Sequence, residues 1–308
     1  MCRLFGFRSV IPSQMHRSLV QADNALCTLS RQHPDGWGVA YYIDGSPHLT
    51  RATATALDDH LFHRLSGVVS SETVVAHVRR ATQGAVSVLN THPFQHGRWV
   101  FAHNGDIPEF PKFRAALLEQ ISPRLRRFIL GDTDSEIVFF LFLTELLRTA
   151  PLPAPRRIDE AMRAMAAAVG TVRAVCDVDG RPPAVLTLVA TDGVTLVATR
   201  GGRELHWSSY KRRCADREVC TYLAAHCEAP TLTGQINHLI LSSEPLGGEN
   251  IWLPLADGDL IGVDERMRLT QGKMDSAGGV AIDRTFDTQP PRPSMQVAQG
   301  VSEATKSI

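Results

Sequence analysis

The stretch 134–147 constrains the fold most. It reads as a helix that is apolar on nearly every side, and such a helix must be covered all round. What surrounds it is strand-like. Segments 3–10, 39–43, 73–79, 98–102, 171–178, 184–191, 194–200, 238–243 and 260–263 have the residue types and short lengths of strands. Asp44-Gly45 and Asp192-Gly193 are two-residue hairpin signals.

Further helices are expected where Ser13 can cap Met15, Leu19, Ala22, Leu26 and Leu29, where Phe113, Leu117, Ile121 and Leu125 recur, and where Ile158, Met162, Met165 and Val169 recur. The total is about eight to ten strands and about five helices. The strands come in hairpins and runs, not in β-α-β alternation, which predicts an α+β protein with two mainly antiparallel sheets packed together and helices outside. One domain is expected over 2–270. From 271 the chain turns polar and carries Gly, Pro and Ser, so 271–308 is expected to be a disordered tail.

Charge narrows the function classes. Among the 308 residues, 32 Lys and Arg balance 32 Asp and Glu, which argues against a general nucleic-acid or anionic-membrane partner. No run approaches the ~18 apolar residues of a membrane span, and the N-terminal stretch lacks the apolar core of a signal peptide. The expected location is the cytoplasm. Six cysteines without a Cys-x-x-Cys pair are then expected as reduced thiols. Cys214, Cys220, His226 and Cys227 could be imagined as a metal site. The better reading puts Cys220, Leu223, Ala224 and Cys227 at i, i+3, i+4, i+7 on the inner face of a helix.

Five short segments carry potential chemistry. Removal of Met1 would leave Cys2 with a free α-amine beside its thiol. Such an amine has a pKa near ~7.7–8.0 and can take the thiol proton at neutral pH. The alternative is an incidental Cys on an N-terminal strand. In His77-Val78-Arg79-Arg80-Ala81-Thr82-Gln83-Gly84, strand alternation lets only one arginine face inward. An inward Arg suits a carboxylate, whereas two surface arginines would need no further account.

In His103-Asn104-Gly105, an Asn side-chain N–H and a Gly backbone N–H could form an oxyanion hole, or the pair could be an ordinary turn. In Asp132-Thr133-Asp134-Ser135-Glu136, Thr133 or Asp134 can cap the apolar helix, with Glu136 favourable to its dipole. A carboxylate there could also pair with a substrate ammonium. In His33-Pro34-Asp35-Gly36-Trp37-Gly38, the glycines suggest close backbone approach or a simple turn.

The combination and order of these segments resemble the class II glutamine amidotransferase domain of the N-terminal-nucleophile hydrolase superfamily. The motifs run from Cys2 to about 147, with a weaker match through Ser242-Ser243-Glu244-Pro245-Leu246 and Ile251-Trp252-Leu253-Pro254. Asp35-Gly36-Trp37-Gly38 and the late Ser-Glu-Pro-Leu look like the stand-alone subgroup that includes the ergothioneine-pathway γ-glutamyl hydrolase. One departure is Leu4, where those enzymes usually carry His.

The resemblance implies a four-layer αββα sandwich, no metal and no organic cofactor. It implies hydrolysis of the γ-glutamyl amide of glutamine or a γ-glutamyl compound through a thioester on Cys2. It assigns Asn104 and Gly105 to the oxyanion, Arg79 to the substrate α-carboxylate, Asp134 to its α-ammonium, and Thr82 to an assisting role at the carboxylate. Two alternatives stand beside it: a glutaminase subunit delivering ammonia to a separate synthase, and a catalytically silent binding module of the same fold.

Overall fold

The structure is a computed structural model. It describes residues 2–283 apart from 15–16, 179, 215–216, 219, 221–224 and 276–277. Its strands form two seven-stranded sheets in which every pairing is antiparallel. The first sheet holds β1 (Arg3–Gln14), β2 (Trp37–Ile43), β3 (Ser46–Ala52), β4 (Ser70–Val78), β9 (His206–Ser208), β10 (His238–Ser242) and β11 (Leu253–Pro254). The second holds β5 (Phe94–His96), β6 (Trp99–Asp106), β7 (Val185–Thr191), β8 (Leu196–Thr199), β12 (Asp259–Val263), β13 (Leu269–Met274) and β14 (Val280–Asp283). Their orders are β11-β9-β10-β1-β4-β2-β3 and β14-β13-β12-β8-β7-β6-β5.

Strand alternation sorts the side chains into three cores. Leu4, Val75 and Leu241 of the first sheet meet Val100, Ala102, Val189 and Ile261 of the second in a layer between the sheets. On the outer face of the first sheet, Phe5, Phe7, Val74, Ala76 and Val78 pack with Leu26 and Phe62 from helices α1 (Leu26–Leu29) and α2 (His60–Val68). On the outer face of the second, Phe101, Leu186 and Leu188 pack under α3 (Phe110–Gln120), α4 (Pro123–Arg126), α5 (Asp134–Thr149) and α6 (Ile158–Cys176). The layers therefore run α-β-β-α, as expected.

Helix α5 is the one apolar all round, and it is buried over nearly its whole length. Phe139 stacks on Phe101 at 5.2 Å, and Phe142 meets the edge of Trp99 at 5.1 Å. Each such ring contributes about 1.5–3 kcal/mol by burial.

Several expectations need correction. Residues 271–274 and 280–283, assigned to a tail, pair instead as β13 and β14. Residues 284–308 lie outside the described residues. The strand expected at 171–178 is the last part of α6, because Val169, Val172 and Cys176 continue its buried stripe at helical spacing. Ser13 caps no helix; it lies in β1, beyond a shift of register after Arg8. The helix through Phe113 and Leu125 is interrupted at Ser122-Pro123, where α4 restarts. Met15 and the proposed helix face at Leu223 and Ala224 fall outside the described residues.

Candidate active site

Register brings five chain segments to one end of the sandwich. In the first sheet Arg3 pairs with Val78, Trp37 with Val78, and Phe5 with Ser242. The start of β1, the end of β4, the start of β2 and the end of β10 therefore lie side by side. In the second sheet the end of β6 reaches the same edge, and Asp134 at the start of α5 joins it: Ile107 N–H donates to Asp134 Oδ2 at 2.8 Å.

Cys2 precedes β1 and shares the parity of Leu4, so it belongs to the side between the sheets. Its Sγ accepts a hydrogen bond from the Arg80 amide at 3.3 Å. Burial pushes the thiol pKa up, opposed by that amide and by the nearby Arg79 charge. The next residue is held in place, since Arg3 pairs with Glu244 at 3.3 Å and also donates to the Cys2 carbonyl.

Arg79 follows β4 on the parity of His77 and Val75. Its amide donates to Gly36 O at 2.7 Å, and its carbonyl accepts from Asp35 N–H at 3.0 Å. These bonds extend the β2–β4 ladder. Gly36 has φ +139, and a Cβ there would stand 2.8 Å from Ala52 O, so the position demands glycine. The Arg79 guanidinium is buried and donates to the carbonyls of Gln83 at 2.9 Å and Ala85 at 3.2 Å. Arg80 is exposed, so the two arginines divide as alternation requires.

Asn104 and Gly105 lie inside β6, not in a turn following it. Asn104 shares the inter-sheet side with Val100 and Ala102. Gly105 faces the other way, where a Cβ would collide with the Val185 carbonyl and the His103 ring. Asp134 is buried, and its Oδ1 accepts from Ser135 N–H at 2.8 Å. Burial raises its pKa, opposed by His103 and by the Ile107 amide. Thr133 caps α5 by accepting from Glu136 N–H at 3.2 Å, and Glu136 in turn accepts from Gly131 N–H at 2.7 Å. Thr82 is exposed, and its hydroxyl makes no hydrogen bond among the described residues.

Four histidines surround these groups: His33, His77, His92 and His103. His103 Nε2 lies 2.8 Å from Val185 O and Nδ1 lies 2.9 Å from Ser135 Oγ. His77 and His92 are buried with ring centroids 4.2 Å apart, and among the described residues the rings of His92 and of buried His33 have no hydrogen-bond partner. Burial lowers their pKa values, His33 to about 4 and His77 to about 3, so all three are neutral at pH 7. The His-x-Arg spacing on a strand signalled that His77 faces inward with Arg79; nothing in the sequence pointed to His92.

A thiol, a buried guanidinium, a carboxamide N–H and a buried carboxylate thus converge. They offer a nucleophile, a grip for a carboxylate, a donor to an oxyanion and a partner for an ammonium. Among the described residues, no group of three or more His, Cys, Asp or Glu side chains is placed to hold a metal ion, and no helix is long and apolar enough to cross a membrane.

The family model described as "Glutamine amidotransferases class-II" matches residues 1–274. The chain is 31% identical over 226 residues to "Probable glutamine amidotransferase DUG3" of Saccharomyces cerevisiae, covering 65% of this chain and 63% of that protein. It is 39% identical over 74 residues to the gamma-glutamyl-hercynylcysteine sulfoxide hydrolase of Mycobacterium tuberculosis, a match limited to 24% of this chain and 32% of that one. In fold it resembles a glutamine aminotransferase class-II domain protein from Silicibacter pomeroyi, with TM-score 0.60 and 23% identity over 90% of this chain and 100% of that one. In fold it also resembles a glutamine phosphoribosylpyrophosphate amidotransferase from B. subtilis, with TM-score 0.56 and 12% identity over 89% of this chain and 49% of that one.

Proposed function

The chain belongs to the class II glutamine amidotransferases, and we propose that it hydrolyses the γ-glutamyl amide bond of glutamine or of a γ-glutamyl compound. The observation that carries this reading is the convergence of Cys2, Arg79, Asn104 and Asp134, from separate elements, at one end of the inter-sheet layer. With Met1 removed, the α-amine of Cys2 takes the thiol proton as Sγ attacks the δ-carbonyl. The C–N bond breaks as the amine returns that proton to the leaving nitrogen. Water then cleaves the γ-glutamyl thioester, releasing glutamate and the free thiol.

Arg79 grips the α-carboxylate with its planar fork, and its two loop carbonyl partners fix the fork's orientation. Asp134 pairs with the α-ammonium, and its two backbone donors orient its carboxyl group. Asn104 Nδ2 and the Gly105 amide stabilise the oxyanion, where one donor is worth ~2.7–4 kcal/mol. Thr82, exposed beside the Arg79 loop, assists at the carboxylate. The partial match to the gamma-glutamyl-hercynylcysteine sulfoxide hydrolase favours a γ-glutamyl substrate larger than glutamine.

The test is glutamate release by the purified chain from glutamine, glutathione and other γ-glutamyl amides, with intact mass establishing that Met1 is absent and Cys2→Ala as control. Cys2-dependent release from a non-glutamine substrate would support the reading and identify the leaving amine. Silence from correctly processed protein would overturn autonomous hydrolysis and favour a glutaminase that requires a synthase partner.

A further inference from the structure

Ser243 stands one residue past β10, where that strand runs beside β1. It is buried, at 6% exposure. Its amide donates to Leu4 O at 3.0 Å, and its Oγ accepts from Leu4 N–H at 2.9 Å. Both backbone groups of the residue two after the nucleophile are thereby fixed. The same Oγ accepts from Asn104 Nδ2 at 3.3 Å. Asn104 is itself 3% exposed and belongs to β6, in the opposite sheet.

One hydroxyl therefore bridges the strand that carries the nucleophile and the strand that carries the carboxamide. A hydroxyl oxygen has two acceptor positions, and here both are occupied. A carboxamide nitrogen has two hydrogens, and only one is needed to reach Ser243. The arrangement sets the rotation of the Asn104 amide and leaves its second N–H available.

We propose that Ser243 is a positioning residue that holds Asn104 by one N–H so that the other is presented to the oxyanion formed at Cys2. This rests on the reading of Asn104 as an oxyanion donor. Removing the hydroxyl frees the amide to rotate and leaves the Leu4 amide without its acceptor. The oxyanion forms only during reaction, so the loss falls on kcat rather than on KM. Alanine deletes the acceptor, whereas threonine keeps it.

The experiment uses the full chain with Met1 removed and compares wild type, Ser243→Ala, Ser243→Thr, Asn104→Ala and the double variant Ser243→Ala/Asn104→Ala. L-Glutamine and γ-glutamyl-p-nitroanilide are the probes. Ser243→Ala is expected to lower kcat about 10–100-fold, the scale of a small misplacement, with KM changed less than about threefold. Ser243→Thr should recover most of kcat. Adding Ser243→Ala to Asn104→Ala should cost nothing further, because the two act through one amide. The rate of Cys2 alkylation by iodoacetamide should match wild type in Ser243→Ala, because the residue 243 amide still holds Leu4 O and with it the start of β1.

Wild-type kcat in Ser243→Ala beside a crippled Asn104→Ala would overturn this inference alone. So would losses that multiply in the double variant, or slowed alkylation. Wild-type kcat in Asn104→Ala would remove the oxyanion reading and this inference with it.

Discussion

The backbone amide of Arg80 donates a hydrogen bond to Cys2 Sγ at 3.3 Å. The same segment sends the preceding side chain, Arg79, inward. A single turn of chain after β4 thus supplies a donor to the sulfur and a cation to the cleft. Burial nevertheless holds the thiol pKa up, so Cys2 rests as a thiol at neutral pH and needs a base to react.

That requirement fixes the pH profile. If the base is the Cys2 α-amine, kcat/KM should rise with pH along a limb centred near ~7.7–8.0. Cys2→Ala should abolish turnover and leave the thermal unfolding midpoint unchanged. A rate independent of pH from 6 to 9 would sink the α-amine as base.

Arg79→Lys should raise KM about 10–100-fold, the cost of losing a charge-assisted pair from a planar fork. Lysine retains the charge, but its donors sit on one nitrogen and cannot span two loop carbonyls and a bidentate carboxylate as the planar guanidinium does. Steady-state kinetics on glutamine decides it, and an unchanged KM would remove Arg79 from the carboxylate role.

Gly105→Ala should destabilise the fold by about 1–3 kcal/mol, as overpacking does. The new methyl meets the Val185 carbonyl and the His103 ring, and neither is the loose end of a flexible side chain. Urea unfolding measures this; a midpoint equal to wild type would mean that β6 and β7 separate freely.

Stability should fall as pH drops below about 6.5, the ordinary pKa of histidine. His33 at about 4, His77 at about 3 and His92, which burial also holds well below the usual histidine value, remain neutral in the folded protein while the unfolded chain takes up protons. The unfolded state then binds more protons, so each such histidine removes about 1.4 kcal/mol per pH unit until its own folded pKa is reached. Thermal melts at pH 7.5, 6.0 and 5.0 should show a progressive drop, reduced in His77→Gln. A flat profile would mean that these rings are charged or solvated.

Much of this architecture was legible in the residues, for reasons that also explain the failures. Strand alternation separated Arg79 from Arg80 before any coordinates, and the two Asp-Gly turns located their hairpins. Residues 171–178 misled because Thr-Val-Arg-Ala-Val-Cys alternates like a strand while Val169, Val172 and Cys176 keep helical spacing. Residues 271–283, part of the expected tail over 271–308, are polar because β13 and β14 lie at the edge of their sheet, where many side chains stay in water. Asn104-Gly105 looked like a turn, but the glycine is there for close packing under Val185. The hydroxyl link from Ser243 to Asn104 spans 139 residues of chain and joins two sheets, a separation that no local pattern records.

Asp134 is both the candidate ammonium partner and the first residue of α5, whose interior is packed on every side. A ligand seated on that carboxylate would be felt along the helix. Amide hydrogen exchange in α5 should slow when the site is filled, while exchange in the half-buried edge strand β3 stays as it was. The binding end of the molecule is, in this sense, the capped first turn of its most deeply buried helix.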